Sequence, residues 1–341
     1  MSANEVLRKV AVKDLQIGMY VIMPVSWKAH PFLVNRFRIS SPAQIRKMRE
    51  AGLTELMVDL AQSHIEHEPP ALQSRASAGA PHTPDKGPEE KNRGVALDTL
   101  KSSVKEAVSD KTLPLEEKAK VVYAQSLEMI NNVLEQPNNR NIGVSKEIIA
   151  AIVDMILADK DTSRYLTRIT SHDFYTYTHS VNVGFLAVCL AKIVLQDASI
   201  HKMHELGAGF FLHDLGKVRI PPEIINKPGR LCEEEMVEIR KHPSSGFKIL
   251  HECRQLTEEC RTIVLQHHER SDGTGYPHRL RGPEIHIYGR ICSIADIYDA
   301  LTSDRPYRKR MLPFDALKLM KDEMMHHLQK DLFEKFVLML S

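Results

Sequence analysis

The segment HELGAGFFLHDLGK, residues 204–217, decides how the rest of the chain is read. Leu206, Phe210 and His213 recur at helical spacing, so one apolar stripe ends in a histidine, and Asp214 follows it at once. A carboxylate buried beside an imidazole is costly unless a cation neutralises it. A divalent metal would do so. The alternative makes Asp214 a cap for the next turn and His213 a buried donor.

Four other segments present histidine or aspartate in comparable positions. His179 shares a helix face with Asn182, Val183, Leu186 and Leu190. Taken alone, a lone histidine on such a face reads as a satisfied core residue. Met236 and Ile239 lead to His242 just before Pro243, which predicts a helix break there. Ile263 and Val264 lead to His267-His268-Glu269 at the edge of a glycine-rich loop, and at a helix terminus two adjacent rings can bracket one ion. On the segment 287–302, Asp296 sits among Cys292, Ser293 and Ala300, small residues that allow neighbouring helices to approach. Imidazole and carboxylate suit iron, manganese, nickel or zinc, and these seven residues exceed what one four- to six-coordinate ion needs. Two ions sharing one bridging carboxylate is the natural count, with Asp214 the best bridge. Such a pair activates a bridging water to hydroxide and stabilises charge on phosphoryl oxygens, so the ligand set points to phosphoester hydrolysis.

Around this cluster the chain is helical in pattern from about residue 115 to 341. Ile148, Ile149, Ile152, Val153 and Ile156 form a broad core-facing stripe, and Val122, Ser126, Met129, Ile130 and Val133 trace an earlier one. Residues 65–114 read as a flexible linker, because Glu66 to Gly94 holds five prolines and Leu72 as its only large aliphatic residue. Residues 1–64 read as a small α+β module. Alternation around Ile17, Met19, Val21 and Met23 predicts a strand, and Phe32, Val34, Phe37 and Ile39 predict a second. Ser40-Ser41-Pro42 opens a helix carrying Ile45 and Met48 and stopping at Gly52, and LMVDL at 56–60 reads as a closing strand. The expected fold is therefore mainly α: an all-helical bundle preceded by a small α+β module.

Composition narrows the function. Forty-six Lys and Arg against 44 Asp and Glu leave a net charge of +2 over 341 residues, so no global basic field suggests DNA as a partner. Five cysteines without CxxC spacing indicate free thiols in a reducing compartment and no zinc ribbon. The charged N-terminus is unlike a signal peptide, and the longest apolar run, Val183 to Ala191, is short of a membrane span, so a cytoplasmic location is expected. Of 17 histidines, 11 lie between His172 and His286. The chemistry needs five of them, and His172, His201, His204, His251, His278 and His286 are expected to be ordinary surface or core residues.

The motifs YTYTHSVNV (175–183), HDLGK (213–217), HP (242–243), HHERSDGTGYP (267–277) and ADIYDALTSDRPYR (295–308) together resemble the HD-GYP branch of the HD superfamily of metal-dependent phosphohydrolases. The resemblance implies an HD-type metallo-phosphohydrolase bundle that hydrolyses cyclic di-GMP to pGpG, in some members onward to GMP. It implies two divalent ions, iron or manganese first, with nickel and zinc compatible. His179, His213, Asp214 and Asp296 resemble the ligands of one ion, and Asp214, His242, His267 and His268 those of the other. Lys217, Arg305 and Arg308 match positions that hold substrate phosphates, which suits a point charge and two planar forks, and Tyr276 lies in the loop beside the pocket. Read by themselves, Arg305 and Arg308 are equally charges closing a helix. Tyr175 stands where some members carry a glutamate that helps hold a third metal, so a two-metal site is expected.

The N-terminal segment is similar to a domain of uncharacterised role that often precedes HD-GYP modules. A diguanylate cyclase or other signalling protein, met through the Gly-Tyr-Pro loop or this module, and a homodimer are the partners the resemblance allows. Two alternatives are a hydrolase of another nucleotide and a catalytically silent receptor or scaffold for the messenger. Every ligand position is filled, which disfavours the second.

Overall fold

The computed structural model describes residues 7–16, 19–22, 36–39, 45–46, 48–49, 52–59, 63, 88–158, 161–162, 165–166, 176–195, 201–225, 227, 229–304 and 308–340. The chain forms two compact units, Met1–Thr83 and Pro84–Ser341. In the first, β1 (Leu7–Ala11), β2 (Tyr20–Ile22), β3 (Arg36–Arg38) and β4 (Glu55–Asp59) make an antiparallel sheet of order β1-β4-β2-β3. Val21 pairs with Val58 on one side and Phe37 on the other, and Val12, Leu15, Val21, Ile39, Met48, Leu56 and Val58 form the core. The strand expected at 56–60 is thus central rather than closing. Strand β1 was not anticipated: LRKVA carries two adjacent charges, as suits an edge strand, and Lys9 pairs with Glu55. Ile45, Arg46, Met48 and Arg49 are helical, and Gly52 ends that turn at φ +74°, a conformation that favours glycine. Ser40-Ser41-Pro42, Ile17, Met23, Phe32 and Val34 lie outside the described residues.

The second unit begins earlier than the linker expectation placed it. Helix α1 (Pro88–Ser109) buries Leu97, Leu100, Val104 and Ala107 and packs on α2 (Leu115–Glu135) and α3 (Asn139–Ala158). These apolar residues keep helical spacing beyond Pro88, the last proline of the stretch, and that local pattern outweighs the polar composition before it. Residues 65–87 of the expected linker lie outside the described residues.

Helix α4 (Thr176–Val194) is the axis of the bundle. Every residue from Thr178 to Ala191 is buried, with α2, α5 (Met203–Phe211), α10 (Ile287–Thr302) and α12 (Lys330–Leu340) around it. By length and composition it could cross a membrane, but its residues are enclosed by these neighbours. After α5 comes a 3-10 turn, Leu215–Arg219, followed by α6 (Pro222–Ile225), α7 (Glu233–Ile239), α8 (His242–Glu252) and α9 (Glu258–Gln266). Helix α11 (Pro313–Glu323) precedes α12. His242 opens α8 instead of ending a helix, because Pro243 falls in the first turn, where its missing N–H is no loss. Met236 accordingly stays exposed on α7.

The 3-10 turn lies directly on the start of α8. A Cβ at Gly216 would stand 1.9 Å from the His242 carbonyl oxygen and 2.4 Å from the Gly246 nitrogen, both backbone atoms that cannot move aside. Gly216→Ala is therefore expected to destabilise the chain by about 3 kcal/mol. Denaturant melts with chelator present read this apart from any metal effect.

Candidate metal centre

Three of the five histidine side chains are aimed by the same local device. The Nδ1–H of His213 donates to the Phe210 carbonyl at 2.8 Å, that of His242 to Ile239 at 2.7 Å, and that of His267 to Val264 at 2.9 Å. Each acceptor lies three residues back, at a helix end where carbonyls lack intrahelical partners. The bond fixes the tautomer and turns each Nε2 lone pair inward. Burial pushes His213 down to about 4 and His242 down to about 3, and lowers His267, so all three are neutral imidazoles at physiological pH.

These rings converge on Asp214, whose two oxygens face different groups. Oδ2 lies 3.5 Å from His179 Nε2 and 3.6 Å from His213 Nε2, while Oδ1 lies 3.2 Å from His242 Nε2 and 3.8 Å from His267 Nε2. Two ligand groups thus share this carboxylate: His179, His213 and Asp214 in one, and Asp214, His242, His267 and His268 in the other. Asp296 approaches both, with Oδ1 3.1 Å from His179 Nε2 and Oδ2 3.4 Å from His268 Nδ1. Burial alone would raise the two carboxyls, but Lys217 and the imidazoles hold Asp214 well below the usual range, and His179 and His268 do so for Asp296. Both are carboxylates.

The donor spacing tests whether ions fit. Charge-assisted hydrogen bonds run about 2.7 to 2.9 Å, whereas donors about 2.0 to 2.2 Å from one ion stand roughly 3 to 3.5 Å apart. The separations around Asp214 and Asp296 are mostly of the second kind. His213 Nε2 and Asp214 Oδ1 are also buried without a hydrogen-bond partner. Two imidazole or carboxylate groups left in this state are unusual in a folded interior, and divalent cations would satisfy both.

His179 has supporting residues that sequence reasoning passed over. Its Nδ1 meets Asp299 Oδ2 at 2.7 Å, and the other Asp299 oxygen accepts from Asn182 at 2.7 Å, whose own side-chain oxygen accepts from the Tyr123 hydroxyl at 2.8 Å. The signal was spacing: Asp299 lies three residues after Asp296 and Asn182 three after His179, on the faces already marked. Although burial opposes it, the flanking Asp296 and Asp299 raise His179 to about 9 in the ion-free chain.

Beside the centre lies the loop at 270–282. Tyr276 lies over the His268 ring, centroids 4.7 Å apart, and Arg240 stands over Tyr276 at 5.8 Å. A cavity of about 470 Å³, within the range of small-ligand sites, is lined by Arg240, Gly273, Tyr276, Pro277 and Arg279 among others. Glu269 shapes this loop, accepting from the backbone N–H of His278 at 2.6 Å and of Leu280 at 2.9 Å. Of the expected phosphate contacts, Lys217 pairs with Asp214 and stays partly exposed. Arg308 donates to the carbonyls of Ala300 at 2.7 Å and Leu301 at 3.1 Å, closing α10, which is the plainer of its two readings. Arg305, Tyr175 and His172 lie outside the described residues. Of the histidines set aside, His204 pairs with Asp154, His201 with the Tyr288 hydroxyl, and His286 caps α10.

Comparison with known proteins agrees with this architecture. The HD domain family matches residues 152–332, and a domain of unknown function (DUF3391) matches residues 7–141, reaching past the sheet across α1 and α2. A cyclic di-GMP phosphodiesterase of Pseudomonas aeruginosa is 32% identical over 334 residues, covering 97% of this chain and 76% of the relative. A 3'3'-cGAMP-specific phosphodiesterase of Vibrio cholerae is 35% identical over 190 residues, 55% of this chain and 36% of that one. In fold, the chain is similar to an HDG"Y"P protein from Bdellovibrio bacteriovorus, with a TM-score of 0.62 and 18% identity over 98% of this chain and 99% of that one. The match over residues 152–332 spans every residue of the His and Asp cluster, and with a relative aligned along nearly the whole of this chain, the chain belongs to the HD domain family.

Proposed function

We propose that the chain is a metal-dependent phosphodiesterase that hydrolyses cyclic di-GMP to linear pGpG. The observation that carries this reading is the division of Asp214 between two ligand groups, with Nε2 and carboxylate atoms left unsatisfied around it. His179, His213, Asp214 and Asp296 would hold one divalent ion and Asp214, His242, His267 and His268 the other, iron or manganese suiting this donor set. Ions held there supply Lewis acidity toward phosphoryl oxygens and make water nucleophilic near neutral pH.

The chain's own residues do the rest. Asp299 keeps the Nδ1 proton of His179 and so aims Nε2 at the centre. Lys217, beside Asp214 and partly exposed, offers its ammonium to a non-bridging phosphate oxygen. Tyr276 and Arg240 supply a flat face and a cation along the cavity, a pairing suited to a nucleobase and its phosphate. A cytoplasmic location, a homodimer, and a signalling partner at the Gly-Tyr-Pro loop or the N-terminal module belong to the same reading.

The Pseudomonas relative, aligned over most of both chains, favours cyclic di-GMP, and the shorter Vibrio alignment makes 3'3'-cGAMP the competing substrate. Protein purified anaerobically should cleave cyclic di-GMP faster than 3'3'-cGAMP, with pGpG accumulating on chromatography. The reverse preference would overturn the substrate assignment. Asp214→Ala should lower turnover at least about 1,000-fold, a loss typical of removing electrostatic stabilisation from an active site. Unchanged hydrolysis in that variant would reject the site.

Asp299→Asn keeps the shape of the side chain but weakens its hold on the imidazole. Metal affinity or activity should fall about 10- to 100-fold, as for other partners of ligating histidines. Titration with Mn²⁺ followed by assay separates the two effects.

In chelator-treated protein the buried groups set the pH dependence. His213 and His242, neutral in the fold at about 4 and about 3, protonate near 6.5 when unfolded, so stability is lost as pH falls below 6.5. The depressed Asp214 and Asp296 act in the same direction at lower pH. His179, raised to about 9, contributes stability that is lost as pH rises from 6.5 through 9. The melting temperature should therefore peak near neutrality. Mn²⁺ should raise it more at pH 8.5 than at pH 6, because ligation needs neutral imidazoles.

A further inference from the structure

Two histidines far from Asp214 in sequence form a second cluster. His326 and His327, in the turn between α11 and α12, approach Asp272 of the glycine-rich loop, and the three residues offer ligand atoms within 4.8 Å of one another. The loop and the turn are already joined by one backbone bond, Ser271 N–H to the His327 carbonyl at 3.1 Å. Asp272 Oδ1 is occupied, accepting from the Thr274 backbone at 2.9 Å and hydroxyl at 2.7 Å. Oδ2 is turned to His327 Nε2 at 3.3 Å, too long for a strong charge-assisted bond. Donors around a tetrahedral ion at about 2.1 Å are roughly 3.3 to 3.4 Å apart. The Nδ1 of His327 is buried without a partner, while the His326 and His327 rings stand 3.9 Å apart. Burial and the nearby Arg270 keep His327 neutral, and the Thr274 backbone bond keeps Asp272 ionised. The protonation states are those ligation needs.

We propose that Asp272, His326 and His327 bind one divalent transition-metal ion, separate from the Asp214 centre, that clamps the Gly-Tyr-Pro loop to the turn between α11 and α12. Two imidazoles and a carboxylate are a donor set for zinc, cobalt or nickel, with water completing the sphere. The clamp would fix Asp272 four residues before Tyr276, and so steady the loop that lines the cavity.

The test uses the full chain, stripped with chelator and titrated with Zn²⁺ by calorimetry, with bound zinc counted by elemental analysis. Wild type should take up one more ion per chain than His326→Ala, whose exposed side chain can be removed without disturbing the core. Asp272→Asn should lose the same ion. A variant crippled at the main centre, Asp214→Ala with His213→Ala, should gain more melting temperature from Zn²⁺ than the same variant with His326→Ala added. Equal zinc counts in wild type and His326→Ala would overturn the proposal, as would equal thermal gains in the two crippled variants. Because this readout is metal uptake, it stands apart from the outcome of any cyclic di-GMP assay.

Discussion

The carboxylate of Asp214 is fully buried, and the surrounding architecture answers that one fact. An isolated ionised carboxylate in an apolar interior costs far more than a domain's net stability, so it must be neutralised or matched. Lys217 and the protonated His179 supply positive charge on the Oδ2 side, His179 sharing its own with Asp296 and Asp299. They do not suffice, because Oδ1 faces His242 and His267, two rings that burial keeps neutral. Neutral imidazoles offer lone pairs, not charge. The arrangement is electrostatically incomplete in protein atoms alone, and cations at the shared oxygens would complete it.

Helix termini are what make such convergence possible. A histidine in mid-helix has no free carbonyl nearby to take its second proton, and its ring direction follows the helix face. At an end, the carbonyl three residues back is unpaired and holds Nδ1, as for His213, His242 and His267. His179, in the first turn of the central helix, lacks that device and borrows Asp299 from α10 instead. Asp299 is therefore the price of placing a ligand on the bundle's axis. Bringing three termini to one point also requires backbone to touch backbone, and Gly216 against His242 and Gly246 is where that happens.

Most of this centre was legible because chemistry and periodicity coincide in it. Apolar stripes that end in His213 and His267 mark both the core face and the donor, so fold and ligand were read from the same positions. What escaped had no such coincidence. Asp299 and Asn182 lie on the marked faces, but their role shows only in the partner each meets across α4 and α10. The helix at Pro88–Ser109 was hidden by the proline-rich composition that precedes it, although Leu97, Leu100 and Val104 follow a helical period. Arg308 fits a phosphate contact by motif, yet three-dimensional proximity gives its guanidinium to the last carbonyls of α10. Strand β1, LRKVA, lacks the apolar–polar alternation that would announce it and is defined by pairing with β4.

The loop beside the centre is built on the same helix end as two residues of the His and Asp cluster. Glu269 is the residue after His268, and its two oxygens hold the backbone of His278 and Leu280, which fixes the far side of the loop. Gly275 is pressed against the backbone of residues 268–270, where a Cβ would lie 2.4 Å from the Arg270 nitrogen and 2.6 Å from the His268 carbonyl oxygen. The wall of the cavity is thus built directly on the helix end that carries His267 and His268. Tyr276, tilted over the His268 ring, then has its position set by the imidazole beneath it. A substitution that displaced these rings would displace the cavity wall with them. A change in the cavity that leaves the His and Asp cluster in place must therefore come from its outer side, where Arg240 and Arg279 are exposed and free of this constraint.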